Sequence, residues 1–237
     1  KVPEEKLQDI LKKIKRHQIY GIYENKLLAA KFHLIPLTTY VGEQMYKMGG
    51  IAGVATYPEY RRRGYVKELL TYALETMKTQ GFTVSMLHPF DVSFYRKYGW
   101  ELFSNRLKTV HQQSDLVMFE PTKGTIKRYL FENAHMDELK KIYAQYATTF
   151  SGMLVREDNW WKSVIDDLNI AVYYDTANKP TGYVLYEIKD SKMKVEEFVP
   201  VTIEARQGLW NFICQHDSMI SELEMITFEK EPLFFAL

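Results

Sequence analysis

Residues 53 to 70, GVATYPEYRRRGYVKELL, switch from one hydrophobic period to another within a few positions. Before Pro58 the residues suit the end of a strand. After Gly64, the residues Val66, Leu69, Leu70, Ala73 and Met77 recur on one helical face. A strand end, a proline, three arginines and a glycine leading into a helix make an anion-binding arrangement. First-turn N–H groups lack intrahelical partners, and the helix dipole favours negative charge there. Gly64 lets the backbone approach a phosphate closely. Arg61, Arg62 and Arg63 add charge-assisted contacts. A solvated basic turn is the plain alternative, but three arginines at a helix start are unfavourable without an anion. The run is not a Walker loop, because no Gly-Lys-Ser/Thr follows. It also lacks the three-glycine spacing of a dinucleotide fingerprint.

The flanking sequence predicts a mixed α/β, or α+β, fold. Leu7, Ile10, Leu11 and Ile14 share a helical face over residues 4–17. Two apolar stretches then flank Glu24-Asn25-Lys26, which reads as a hairpin turn. A third strand is expected over 44–57, a helix after Gly64, and a short strand over 82–88. Asp91 is placed to cap a short helix through Tyr95 and Lys97, and one or two strands are expected over 101–119. Residues 120–124, EPTKG, read as a linker. Beyond them the pattern predicts helices over 134–146 and from Asp158, strands over 170–174, 183–188 and 192–199, a helix over 202–213 and a strand over 223–228. Two units, 1–119 and 120–237, follow.

Composition bounds the function. The 237 residues carry 31 Lys plus Arg against 30 Asp plus Glu, a net charge of +1. That balance argues against bulk electrostatic binding to nucleic acid or anionic lipid. The single cysteine, Cys214, excludes an intrachain disulfide framework. No apolar run approaches the ~20 residues of a membrane span, and no secretory apolar region opens the chain. A cytoplasmic protein is the expectation. The chain starts at Lys1 rather than methionine, so a longer gene product is expected.

The run Arg61-Arg62-Arg63-Gly64-Tyr65-Val66 resembles the acyl-coenzyme-A motif Arg/Gln-x-x-Gly-x-Gly/Ala of the Gcn5-related N-acetyltransferase (GNAT) superfamily, with Val66 in place of the usual small residue. With residues 48–56, MGGIAGVAT, before it and 94–100, FYRKYGW, after it, the stretch resembles the enhanced-intracellular-survival (Eis-like) acetyltransferases, particularly those of Gram-positive bacteria. The likeness is firm over about 17–119 and weaker over 120–237. It implies tandem GNAT folds, each a mixed, mostly antiparallel sheet flanked by helices. The first, 1–119, would bind acetyl-CoA and lack its first strand and helix. The second, 120–237, would be degenerate, because no arginine cluster precedes its helix near 202 and Glu204 would repel pyrophosphate. A third, sterol-carrier-like domain is expected outside this chain.

The resemblance also implies residue roles. Val54, Ala55 and Thr56 would hold the pantetheine arm, and Arg61 to Val66 (Arg62, Arg63, Gly64 and Tyr65 between them) the pyrophosphate. Tyr95 would be the acid that protonates the leaving thiolate, with Tyr98 the competing assignment and aromatic core packing the alternative for both. In the family a chain-terminal carboxylate can act as base, but Leu237 does not resemble that terminus. His33, His88 and Glu43 remain open as base or acceptor-binding groups, against structural roles for each. Trp160, Trp161 and Trp210 are either cavity-lining or core. No metal site is expected. The implied activity is acetyl transfer to an amine of a small polycation, polyamine-like or aminoglycoside-like, or to a protein lysine, in a homo-oligomer, often a hexamer. The competing classes are a non-catalytic acyl-CoA-binding regulatory module and a structural interaction protein with a relic fold.

Overall fold

A computed structural model describes residues 7, 10, 11, 14–130, 133–229, 231 and 233. Leu7, Ile10, Leu11 and Ile14 are helical as their spacing predicts; the rest of the 4–13 segment lies outside the described residues. The chain divides into two compact units, 1–102 with 151–155, and 103–150 with 156–237.

The first unit is a four-stranded sheet of β1 (Gln18–Glu24), β2 (Leu27–Val41), β3 (Gln44–Thr56) and β4 (Val84–Leu87), in that order. The first three strands form an antiparallel meander, and β3 pairs with β4 in parallel. Asn25 and Lys26, both at positive φ, make the tight β1–β2 turn that right-handed strand twist favours. A parallel neighbour needs a crossover, and helix α1 (Tyr65–Thr79) supplies it. Leu69, Leu70, Ala73 and Met77 bury its apolar face against Phe32, Leu34 and Ile51. Each buried side chain of leucine size stabilises by about 1.5–3 kcal/mol. After β4 comes α2 (Val92–Arg96), whose N-cap Asp91 accepts from Phe94 N at 2.9 Å, as predicted.

The second unit holds β5 (Arg106–Gln112), β6 (Thr125–Tyr129), α3 (Met136–Ala147), α4 (Asp158–Ile165), β7 (Asn169–Tyr174), β8 (Pro180–Lys189), β9 (Lys192–Pro200), α5 (Ile203–Cys214) and β10 (Glu222–Phe228). Its sheet order is β5-β10-β9-β8-β7-β6. Only β9–β10 is parallel; the other pairs are antiparallel. The α5 residues Ala205, Leu209, Trp210 and Ile213 pack with Ala171, Tyr173, Val184 and Val195.

Two sequence expectations change. The division falls at 102/103 rather than 119/120, because β5 pairs with β10 along its whole length and so belongs to the second sheet. The 120–124 segment is not a linker between units but a turn leading into β6, an edge strand absent from the sequence expectation. Among the described residues no helix is long and apolar enough to cross a membrane.

Candidate functional site

The first unit opens where β3 leaves β4. Their pairing ends at Ile51 and Leu87, while β3 continues to Thr56. Residues 52–56 therefore have a strand partner on the β2 side only. The β2–β3 register shifts between Lys31 and His33, and Gly53 sits there at φ +57°, a conformation L side chains rarely adopt. Val54, Ala55 and Thr56 lie on this stretch, whose β4 side is open, and the Thr56 hydroxyl is buried without a hydrogen-bond partner among the described residues. Edge backbone groups and an unsatisfied hydroxyl suit a ligand that brings its own amides.

From Thr56 the chain passes through a 3-10 turn at Pro58–Tyr60 to α1. Gly64 occupies the N-cap at φ +85° and no side chain caps the helix. A Cβ there would meet no atom within 4 Å, so glycine is required by backbone conformation rather than by space. The three arginines divide. Arg63 donates to Glu24 Oε2 at 2.9 Å and to the Glu59 carbonyl at 3.1 Å, and its guanidinium lies 5.1 Å from the Tyr60 ring centre. Arg61 and Arg62 have no side-chain partner among the described residues, and Arg62 sits at φ +62°. The expected three-arginine cluster is thus two free cations and one clamp. Open first-turn N–H groups beside two unpaired guanidiniums fit a pyrophosphate.

Tyr95 projects from α2 and is only 6 % exposed. Its ring packs edge-on against Phe90 and Phe94, and burial pushes its phenol above the usual value near 10. The hydroxyl has no hydrogen-bond partner among the described residues and stays protonated at neutral pH. Tyr98, half-buried, packs edge-on against Phe94 and lines a groove with α1. Trp100 fixes this region: its indole N–H donates to Ser85 Oγ at 3.1 Å, and that hydroxyl donates to the Gly49 carbonyl at 3.0 Å. The chain after α2 is thereby tied to β4 and β3, a link between residues far apart in sequence.

The other candidates separate. His33 rests against Gly53, shares a hydrogen bond of 3.1 Å with His17 Nδ1, and accepts from Lys31 Nζ at 2.8 Å. Burial, then Lys31 and His17, hold its imidazole below the ordinary value, so it is neutral at pH 7. His88 and Glu43 are exposed. Trp161 (2 %) and Trp210 (0 %) are core residues, and Trp210 donates to the Val117 carbonyl at 2.8 Å; Trp160 is 38 % exposed. No group of three or more potential metal ligands occurs among the described residues.

The corresponding turn of the second unit is closed by its own chain. Thr202 Oγ1 accepts from Ala205 N at 3.0 Å, and Glu204 in the first turn accepts from Lys123 N at 3.2 Å.

Residues 1–103 match one acetyltransferase (GNAT) domain family and residues 152–237 match another. The N-acetyltransferase Eis of Mycobacterium tuberculosis (strain ATCC 25177 / H37Ra) is 25% identical over 211 residues, covering 82% of this chain and 51% of that protein. The chain therefore spans about half the length of the curated relatives it matches. A conserved protein of unknown function from Enterococcus faecalis V583, described as a probable N-acyltransferase, superposes with a TM-score of 0.89 at 27% identity, over 98% of this chain and 60% of that one. A GCN5-related N-acetyltransferase from Anabaena variabilis shares the fold, with a TM-score of 0.83 at 22% identity over 100% of this chain and 62% of that one. Two matched acetyltransferase domains in tandem, together with the Eis relatives, place the chain in the GNAT family as a tandem, Eis-like member.

Proposed function

We propose that the protein is an N-acetyltransferase that moves the acetyl group of acetyl-CoA onto a primary amine. GNAT enzymes use acetyl-CoA as cosubstrate. The observation that carries the reading is the continuous path from the end of β3, open on its β4 side, to the uncapped start of α1, with Arg61 and Arg62 free of side-chain partners among the described residues. Along it Val54, Ala55 and Thr56 would hold the pantetheine, and residues 61–66 the pyrophosphate. The amine, after releasing its ammonium proton to water, attacks the thioester carbon; the new C–N bond forms, the C–S bond breaks on collapse of the tetrahedral intermediate, and the nitrogen's second proton passes through water to restore the Tyr95 phenol. Tyr95 would donate its phenolic proton to the departing sulfur, a role its raised pKa permits at neutral pH. The acceptor is read as a small polycation or a protein lysine, and the protein as a cytoplasmic homo-oligomer. The second unit, with a self-capped helix, would shape and support rather than bind a donor.

The test is thioester release from acetyl-CoA by the full-length protein against a panel of amines, with Tyr95→Phe assayed beside it. We expect amine-dependent release, and for Tyr95→Phe a turnover about 10²-fold lower at nearly unchanged donor affinity. Absence of amine-dependent release with intact acetyl-CoA binding would make the protein a donor-binding module instead. Wild-type turnover in Tyr95→Phe would move the acid elsewhere.

A further inference from the structure

Lys31 and His33 stand two residues apart on β2 of the first unit. Lys31 Nζ lies 2.8 Å from His33 Nε2, and His33 Nδ1 lies 3.1 Å from His17 Nδ1. These two contacts fix the direction of each hydrogen bond in the chain. An ammonium only donates, so His33 Nε2 accepts and carries no proton. The His33 proton is then on Nδ1, where it is donated to His17 Nδ1, and His17 keeps its own proton on Nε2. Burial, then Lys31 and His17, hold His33 below the ordinary imidazole value, and no carboxylate among the described residues contributes. An amine, an imidazole that accepts from it and a second imidazole that holds the first repeat the order of an activated nucleophile, its base and the group that orients the base. Lys140 and Lys192 are held differently: each ends on a carboxylate, Asp158 or Glu222, which keeps the amine charged.

The same lysine lies beside the proposed donor path. Lys31 pairs with Ala55 across the β2–β3 ladder, and it lines a cavity of about 290 Å³ with Ala55, Thr56 and Tyr57. The His33 ring rests on Gly53, where an added Cβ would come 3.2 Å from Cδ2 and 3.4 Å from Nε2. A donor with its pyrophosphate over residues 61–66 and its pantetheine along 54–56 carries its thioester toward Gly53. Resting on that reading, we propose that Lys31 is a self-acetylation site, modified by the acetyl-CoA bound in its own first unit. The Lys31 ammonium gives a proton to His33 Nε2. His33 passes its Nδ1 proton to His17 Nδ1, and His17 releases its Nε2 proton to water. The neutral Nζ attacks the thioester carbon. The C–N bond forms, the C–S bond breaks, and the sulfur leaves as coenzyme A with the Tyr95 proton. The second proton on nitrogen returns to Tyr95 through water. The product amide is uncharged, so the cluster loses its ammonium.

The experiment incubates the full-length protein, first treated with a lysine deacetylase, with acetyl-CoA and follows each lysine by peptide mass spectrometry. Lys31 is expected to be acetylated at least about tenfold faster than the exposed Lys179 and Lys192. Its rate constant is independent of protein concentration and saturates with acetyl-CoA. His33→Gln tests the base, because glutamine still accepts from Lys31 but passes no proton onward. It lowers the maximal rate about 10²-fold with the half-saturating acetyl-CoA concentration unchanged, a split that loss of structure would not give. Lys31→Arg abolishes the fast modification and keeps acetyl-CoA affinity in calorimetry. Lys31 modified no faster than Lys192, in protein that binds acetyl-CoA, overturns the site and leaves the donor reading in place. A rate that rises with protein concentration, or one that His33→Gln leaves at the wild-type value, overturns it equally. Absence of acetyl-CoA binding overturns the donor reading and the site together.

Discussion

Helices α1 and α5 stand at the same place in the order of their units, each crossing from one strand to a parallel neighbour, yet their N-termini are finished in opposite ways. In α5 the chain satisfies itself: Thr202 caps, and Glu204 puts negative charge against the dipole and takes a backbone N–H from Lys123. In α1 a left-handed glycine makes the turn, no side chain caps it, and Arg61 and Arg62 are exposed and without side-chain partners among the described residues. The shared feature, a strand that parts from its neighbour before a helix, belongs to the fold. On the proposed reading, the capacity to hold an anion belongs to a handful of residues at the turn. If that reading holds, one fold serves with and without the ligand, and the residues that cap the helix make the difference.

The comparison breaks most readily at Gly64. Gly64→Val places a β-branched residue at φ +85° and should cost about 1–3 kcal/mol of stability. It should also weaken acetyl-CoA by about tenfold or more, because the strained turn no longer aims its N–H groups. Thermal melts and calorimetry read the two effects, and unchanged affinity in a folded variant would remove the turn from the site. A smaller contrast lies among the arginines. Arg61→Ala should weaken acetyl-CoA by about fivefold, more so at low salt. Arg63→Ala should act through the lost clamp to Glu24, with under twofold change in affinity and at most about 1 kcal/mol in stability, since that ion pair is partly exposed. Equal losses of affinity for the two would dissolve the division between free cation and clamp. The smallest effect is on the other helix: Thr202→Ala should destabilise by about 1 kcal/mol and leave acetyl-CoA affinity unchanged. Loss of donor binding in that variant would contradict a donor-free second unit.

Local signals were read from the sequence where they are strong and short-range. The Asn25-Lys26 turn, the Asp91 cap, the Thr202 helix start and the change of period at Gly64 each depend on a few adjacent residues. The failures are long-range. Residues 125–129, TIKRY, carry little apolar alternation because β6 is an edge strand, and its pairing with β7 alone defines it. Residues 120–124 have the composition of a linker, yet the division falls after Leu102, where the one nearby breaker, Gly99, already serves to end α2 and no proline marks a boundary. At the candidate site the motif placed the turn, but not the commitment of Arg63 to Glu24, 39 residues earlier. Nor could spacing show the Trp100–Ser85–Gly49 chain that holds the region around Tyr95.

The pairing of β5 with β10 bears on how the chain is made. Arg106 opposes Phe228 and Gln112 opposes Glu222, so the ribosome releases the first of these strands long before the last. The first unit's sheet and crossover helix are complete by Leu87 and can close as they emerge. Residues 106–112 must wait, as an unpaired edge, until residues 222–228 have been synthesised. Their sequence, RLKTVHQ, suits that wait: Arg106, Lys108 and His111 interrupt the apolar positions and make the segment a poor template for pairing with another nascent chain.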